Sequence, residues 1–169
     1  MDPRERKPSH TGPAAFSEFF EASHVSLFRA MYLLTGNRQE AEELMQEAFV
    51  RVLERWERVV RMESPEGYLY RIALNLHRNR QRRARLVVRR LTAPSAGVDE
   101  FDRADERDAL ARALAKLPPR QRAAVVLTEV LDYSSEQAGE MLGIRASTVR
   151  ALAYQGRNAL RESLGGHDG

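Results

Sequence analysis

The stretch Tyr133 to Leu164, YSSEQAGEMLGIRASTVRALAYQGRNALRESL, constrains the fold more than any other part of the chain. It reads as a short helix, a tight turn and a longer helix. Ser134 is placed to cap the first helix, with Gln137 as its capping-box partner. Ala138, Met141 and Leu142 give that helix an apolar side. Gly143 ends it, where a glycine takes the left-handed conformation at little cost. From about Ala146 a second helix carries Val149, Leu152, Ala153, Ala159 and Leu160 on its inner side. Gly139, Gly143 and Val149 fall at the small-residue, turn and core positions of a helix-turn-helix, whose second helix enters the DNA major groove. An ordinary helical hairpin has the same stripes, so the rest of the chain must decide.

The 169 residues leave room for one domain or two small ones, each with a modest core. There is no cysteine, which excludes a disulfide framework and a thiolate metal site. No apolar run is long enough to cross a membrane and no signal-peptide pattern opens the chain, so the expectation is a soluble, cytoplasmic protein without membrane insertion. The net charge of +3 is slight but unevenly placed. Arg78, Arg80, Arg82, Arg83, Arg85, Arg89 and Arg90 follow one another with no acid among them. A solvated helix face usually mixes signs, and this run points to a polyanion.

Residues 1–13 are polar and aperiodic and read as a disordered tail. Phe16, Phe19, Phe20, Leu27, Phe28, Met31 and Leu34 then recur at helical spacing, with a candidate break near Ser23. Asn37 and Glu40 start a second helix whose stripe is Ala41, Leu44, Met45, Ala48, Phe49, Val52, Leu53 and Trp56. Its other face carries Glu42, Glu43, Gln46, Glu47, Arg51, Glu54 and Arg55, either simply solvated or a dock for a basic partner helix. Ser64, Pro65 and Glu66 form the cap and first turn of a third helix, with Tyr68, Leu69, Ile72, Ala73 and Leu76 inward. Tyr70, Arg71, Asn75 and Arg78 lie elsewhere on it. Guanidinium groups for phosphates, tyrosine faces for stacking and an amide for a base edge suit single-stranded nucleic acid, and half-buried packing tyrosines fit equally well.

Composition changes at Thr92–Ala104, with Pro94, Ser95 and Gly97 followed by Asp99, Glu100 and Asp102, which marks an acidic linker. Two short helices separated by Pro118 and Pro119 then lead into the helix-turn-helix. The expected fold is all-α: two small helical domains, residues 14–91 and 105–164, joined by a flexible linker over 92–104, with a tail at 165–169. No Gly-rich phosphate loop, metal-spaced His/Glu pair or nucleophile beside a base is present, so neither enzymatic activity nor a cofactor or metal is expected.

Three segments in this order resemble the extracytoplasmic-function sigma factors of bacterial RNA polymerase over about Phe16 to Leu164. AEELMQEAFVRVLERW is similar to their core-binding helix, SPEGYLYRIALNLHRNRQRR to their promoter-melting and −10 segment, and LPPRQRAAVVLTEVLDYSSEQAGEMLGIRASTVR to their region 4. The resemblance implies a dissociable initiation subunit that binds core RNA polymerase through the β′ clamp helices and the β flap, reads promoter DNA, meets an anti-sigma factor and is monomeric when free. It places Glu43, Gln46 and Glu47 on the polymerase. It gives Asn75 the pocket for a flipped −10 base, with Tyr68, Tyr70, Arg71 and Arg78 around it. It sets Thr148, Arg150, Ala151, Tyr154 and Gln155 against the −35 element.

This chain departs from the family pattern where Ala151, Leu152 and Gln155 replace a more basic set, where Arg145 replaces a capping Ser or Thr, and where Gly139 replaces Ala at a helix-propensity cost of up to about 1 kcal/mol. The alternative is a helix-turn-helix regulator that binds its operator as a dimer without being a polymerase subunit.

Overall fold

The computed structural model describes residues 11–90 and 106–165, all of whose regular elements are helical. The linker and most of both tails lie outside the described residues. Helix α1 (Pro13–Thr35) runs unbroken through Ser23, which is buried, so the expected break is absent. Gly36 closes it in the left-handed conformation, its N–H donating to the Tyr32 carbonyl. Asn37 then caps α2 (Arg38–Leu53), its Oδ1 accepting from Glu40 N–H at 2.9 Å. The apolar stripe turns α2 against α1, and Phe16 and Phe19 pack edge-on to Phe49. Helix α2 ends at Leu53, and Trp56 enters the core from the short helix α3 (Trp56–Val59). Leu53, expected inside, is 52% exposed because the chain turns there and no element covers it.

Helix α4 (Pro65–Arg90) starts where Ser64 Oγ accepts from Gly67 N–H, and it carries the arginine run to its end without interruption. Its first half buries Leu69, Tyr70, Ala73, Leu74 and Leu76, and residues 82–90 are exposed all round. In the second half, α5 (Glu106–Ala115) is followed by α6 (Pro119–Val125), which widens into a π-helical turn at Val126–Val130. Asp132 then takes φ of 60° and reverses the chain. The expected capping box at Ser134 and Gln137 opens α7 (Ser135–Leu142), and α8 (Ala146–Gly165) follows.

Within this hairpin Gly139 is required by space. A Cβ there would lie 2.7 Å from the Ile144 carbonyl oxygen and 3.3 Å from Ala146 N, both backbone atoms of the turn. The close approach lets α7 meet α8, and it outweighs the helix propensity that glycine forgoes. Gly143 is held at φ of 68°. We expect Gly139→Ala to lower stability by about 1–3 kcal/mol in urea unfolding, because the rigid turn must move. A variant as stable as the parent would show that the turn yields.

The two halves pack on each other through α4 against α7 and α1 against α5. Arg122 of α6 bridges them. Its guanidinium donates to the carbonyls of Leu114 (2.9 Å), Ala115 and Leu117 (3.0 Å each) in the second half, and to Leu34 at the end of α1 (2.8 Å). Those carbonyls lie at helix C-terminal ends or just past them, where backbone acceptors lack intrahelical donors. Arg122→Ala is expected to cost about 2–4 kcal/mol by urea denaturation, and Arg122→Lys to recover only part, since an ammonium cannot span four acceptors in one plane.

Candidate nucleic-acid interface

The expected site residues fall on three surfaces. On α2, Glu43 and Gln46 are exposed and Glu47 is half-buried, all on the side away from the α1 contact. Gln46 donates to Glu42, and Glu47 accepts from Arg51 at 2.9 Å. Val50 and Leu53, 54% and 52% exposed, continue this face by one and two turns. Leu53, at the edge of the apolar stripe, is expected inside and the turn at Glu54 leaves it out, whereas Val50 lies opposite the stripe by spacing alone and its apolar side chain carries no outward signal.

On α4 the outward residues are Arg71, Asn75 and Arg78. Arg78 Nη2 donates to Asn75 Oδ1, which holds the amide beside a cation. Tyr68 is half-buried at the rim, where its hydroxyl accepts from Arg55 Nη1 at 3.3 Å. Tyr70 corrects the expectation of a stacking face. It is fully buried, its hydroxyl shares a 2.7 Å hydrogen bond with Ser26 Oγ, and its ring meets Tyr133 edge-on at 5.4 Å. Burial raises the pKa of both phenols. In this arrangement Tyr70 packs the two halves and leaves no ring face for a base.

On α8 Arg150, Ala151, Tyr154 and Gln155 share the solvent side, and Tyr154 is 61% exposed. Thr148 is half-buried nearer the turn. Arg150 pairs with Glu136 of α7 at 3.1 Å, and Gln155 accepts from Gln121 at 3.3 Å, so the face is braced from both neighbouring helices. Val149, Ala153 and Gly156 seat the opposite side of α8 in the core.

A cleft of about 260 Å³ runs between the halves, lined by Leu34, Leu74 and His77 on one side and Ala123, Ile144 and Leu152 on the other. Burial, with Arg122 and Arg80 nearby, lowers the His77 pKa to about 4, and among the described residues its buried Nδ1 has no hydrogen-bond partner. Among the described residues no group of three or more His, Asp or Glu could hold a metal ion, and no helix is long and apolar enough to cross a membrane.

Residues 19–87 match the family model for Sigma-70 region 2, and residues 107–160 match that for Sigma-70 region 4. The chain is 36% identical over 158 residues to the ECF RNA polymerase sigma factor SigE of Mycolicibacterium smegmatis, covering 83% of this chain and 58% of that protein. It is 31% identical over 156 residues to SigM of Mycobacterium tuberculosis, covering 89% of this chain and 78% of the relative. The fold matches that of the sigma factor RpoE solved with the anti-sigma factor NepR from Bartonella quintana, at a TM-score of 0.76, 20% identity, and coverage of 92% of this chain and 99% of that one. It also matches CnrH solved with the cytosolic domain of CnrY, at a TM-score of 0.68, 22% identity, and coverage of 93% and 92%. The chain belongs to the extracytoplasmic-function sigma factors of RNA polymerase. These are transcription initiation factors, and the reading as a free-standing dimeric regulator is not favoured.

The neutral His77 makes the fold sensitive to acid. The unfolded chain takes up this proton near the ordinary pKa of 6.5, and the folded chain resists until about 4. The group's contribution is therefore intact above about 6.5 and declines as pH falls through that window. Between pH 7 and pH 5 the parent is expected to lose about 2 kcal/mol more stability than His77→Gln in urea unfolding. Equal losses would show that carboxylates alone set the acid sensitivity.

Proposed function

We propose that this sigma factor docks on the β′ clamp helices of core polymerase through Glu43, Gln46 and Glu47, with Val50 and Leu53 extending the contact. It reads the −10 element with Asn75, Arg71, Arg78 and Tyr68, and the −35 element with the outer face of α8, where Thr148, Arg150, Ala151, Tyr154 and Gln155 lie. The observation that carries this reading is the outer surface of α4. There a solvent-facing amide is held beside a guanidinium, and an arginine run free of acids continues along the same helix.

The run supplies phosphate contacts that position the protein, and Asn75 supplies the base edge that specifies sequence. Unstacking a base costs a few kcal/mol, which the pocket and its cations must offset. The protein breaks no covalent bond in this scheme; chemistry belongs to the polymerase. It works in the cytoplasm, as a monomer when free. A protein of the same fold, the sigma factor RpoE, was solved with the anti-sigma factor NepR, which supports an inhibitory partner of that class here.

Run-off transcription from pooled genomic promoter fragments tests the reading, using core polymerase with and without this protein. Defined start sites are expected only with it. On the promoters so found, Asn75→Ala is expected to weaken open-complex formation by on the order of 1–3 kcal/mol, with closed-complex binding largely retained. Equal loss in both, measured by footprinting, would remove Asn75 from the melting step.

A further inference from the structure

Arg80 departs from the rest of the arginine run. Its guanidinium reaches from α4 to α2, Nη1 donating to Glu43 Oε2 at 3.1 Å and Nη2 to Glu47 Oε2 at 3.4 Å. Among the described residues it is the arginine of the run that pairs with carboxylates; Arg78 bonds an amide instead. The two carboxylates assigned to the polymerase are thus occupied, in the free chain, by a cation from the segment assigned to DNA.

We propose that Arg80 is a positioning residue that couples polymerase docking to DNA binding. A polymerase cation arriving at Glu43 and Glu47 competes for the same oxygens and releases Arg80 toward the phosphates. Phosphate that draws Arg80 away frees Glu43 Oε2 and Glu47 Oε2 for the polymerase, while Glu47 Oε1 stays with Arg51. Linkage requires both directions to have the same magnitude. The pair is suited to exchange because it is partly solvated: Arg80 is 32% exposed, Glu43 52% and Glu47 39%. Exposed ion pairs are worth little individually and part readily, whereas a fully buried one would be locked by the cost of stranding a charge.

The inference rests on the reading of Glu43 and Glu47 as polymerase contacts, and the test separates the two. Full-length protein is titrated, without polymerase and at low salt, into a fluorescent mixed-sequence single-stranded oligonucleotide, and separately into core polymerase. Glu43→Gln with Glu47→Gln is expected to weaken polymerase binding and to tighten oligonucleotide binding by about two- to five-fold. The control, Glu42→Gln with Glu54→Gln, makes the same charge change on α2 and at its C-cap without touching Arg80, and its gain is expected to be smaller. Adding Arg80→Gln to the first pair is expected to abolish the gain. A control gain as large as the test gain, or a gain that survives Arg80→Gln, overturns the coupling and leaves docking intact. Unchanged polymerase binding in Glu43→Gln with Glu47→Gln removes the docking reading, whatever the oligonucleotide does.

Discussion

The arrangement of the two halves depends on a guanidinium placed among backbone carbonyls. Among the described residues Arg122 pairs with backbone rather than with a carboxylate; its charge is met by acceptors at the ends of α1 and α5. Two helix dipoles thus present their negative ends to one cation. Burial lowers the Arg122 pKa, but an arginine begins so far above neutrality that it stays charged. One side chain therefore caps helices from both halves, and a second cation in the cleft would be repelled. His77 lies in that cleft, where burial first and then the Arg122 and Arg80 charges lower its pKa and keep it neutral.

The closed packing also sorts the candidate DNA residues. Tyr133 is carried by the turn after α6, where the π-helical widening and the left-handed Asp132 set its direction. It lands on Tyr70 and removes that ring from solvent. Asn75 and Arg71, on the outer side of the same helix, stay open, as does the recognition face of α8. The surfaces proposed for the −10 and −35 elements are thus carried on rigid helices, which favours precise placement over adaptation.

What the sequence makes legible is local. The caps at Asn37, Ser64 and Ser134, the left-handed Gly143 and the apolar stripes each depend on residues a turn or two apart, and the structure has them where spacing puts them. Contacts between distant segments leave no such mark. The Ser26–Tyr70 bond joins α1 to α4, Arg122 reaches back to Leu34, and Arg80 crosses to α2. Gly139 shows the same limit at short range. Its helix propensity is read from the residue itself, but the carbonyl it must clear is visible only once the turn has folded. For Tyr70 and Tyr68, two positions apart, composition gave equal weight to packing and stacking. Helical geometry separates them, turning one ring into the core and leaving the other at the rim.

A subunit that must join and leave a larger assembly needs contacts of two strengths. Those that hold its shape should survive every exchange of partner, and Arg122 meets this by binding backbone carbonyls of the chain itself. Those at the surfaces should be replaceable one for one. In the docking reading, Glu43 and Glu47 of α2 and Arg80 of α4 meet this by being charged, partly solvated and already satisfied by each other. An ion pair of that kind costs little to open because both partners have water or a new counter-charge waiting. Had Glu43 and Glu47 been buried with Arg80, the cost of stranding a charge would have locked the pair against any exchange of counter-charge.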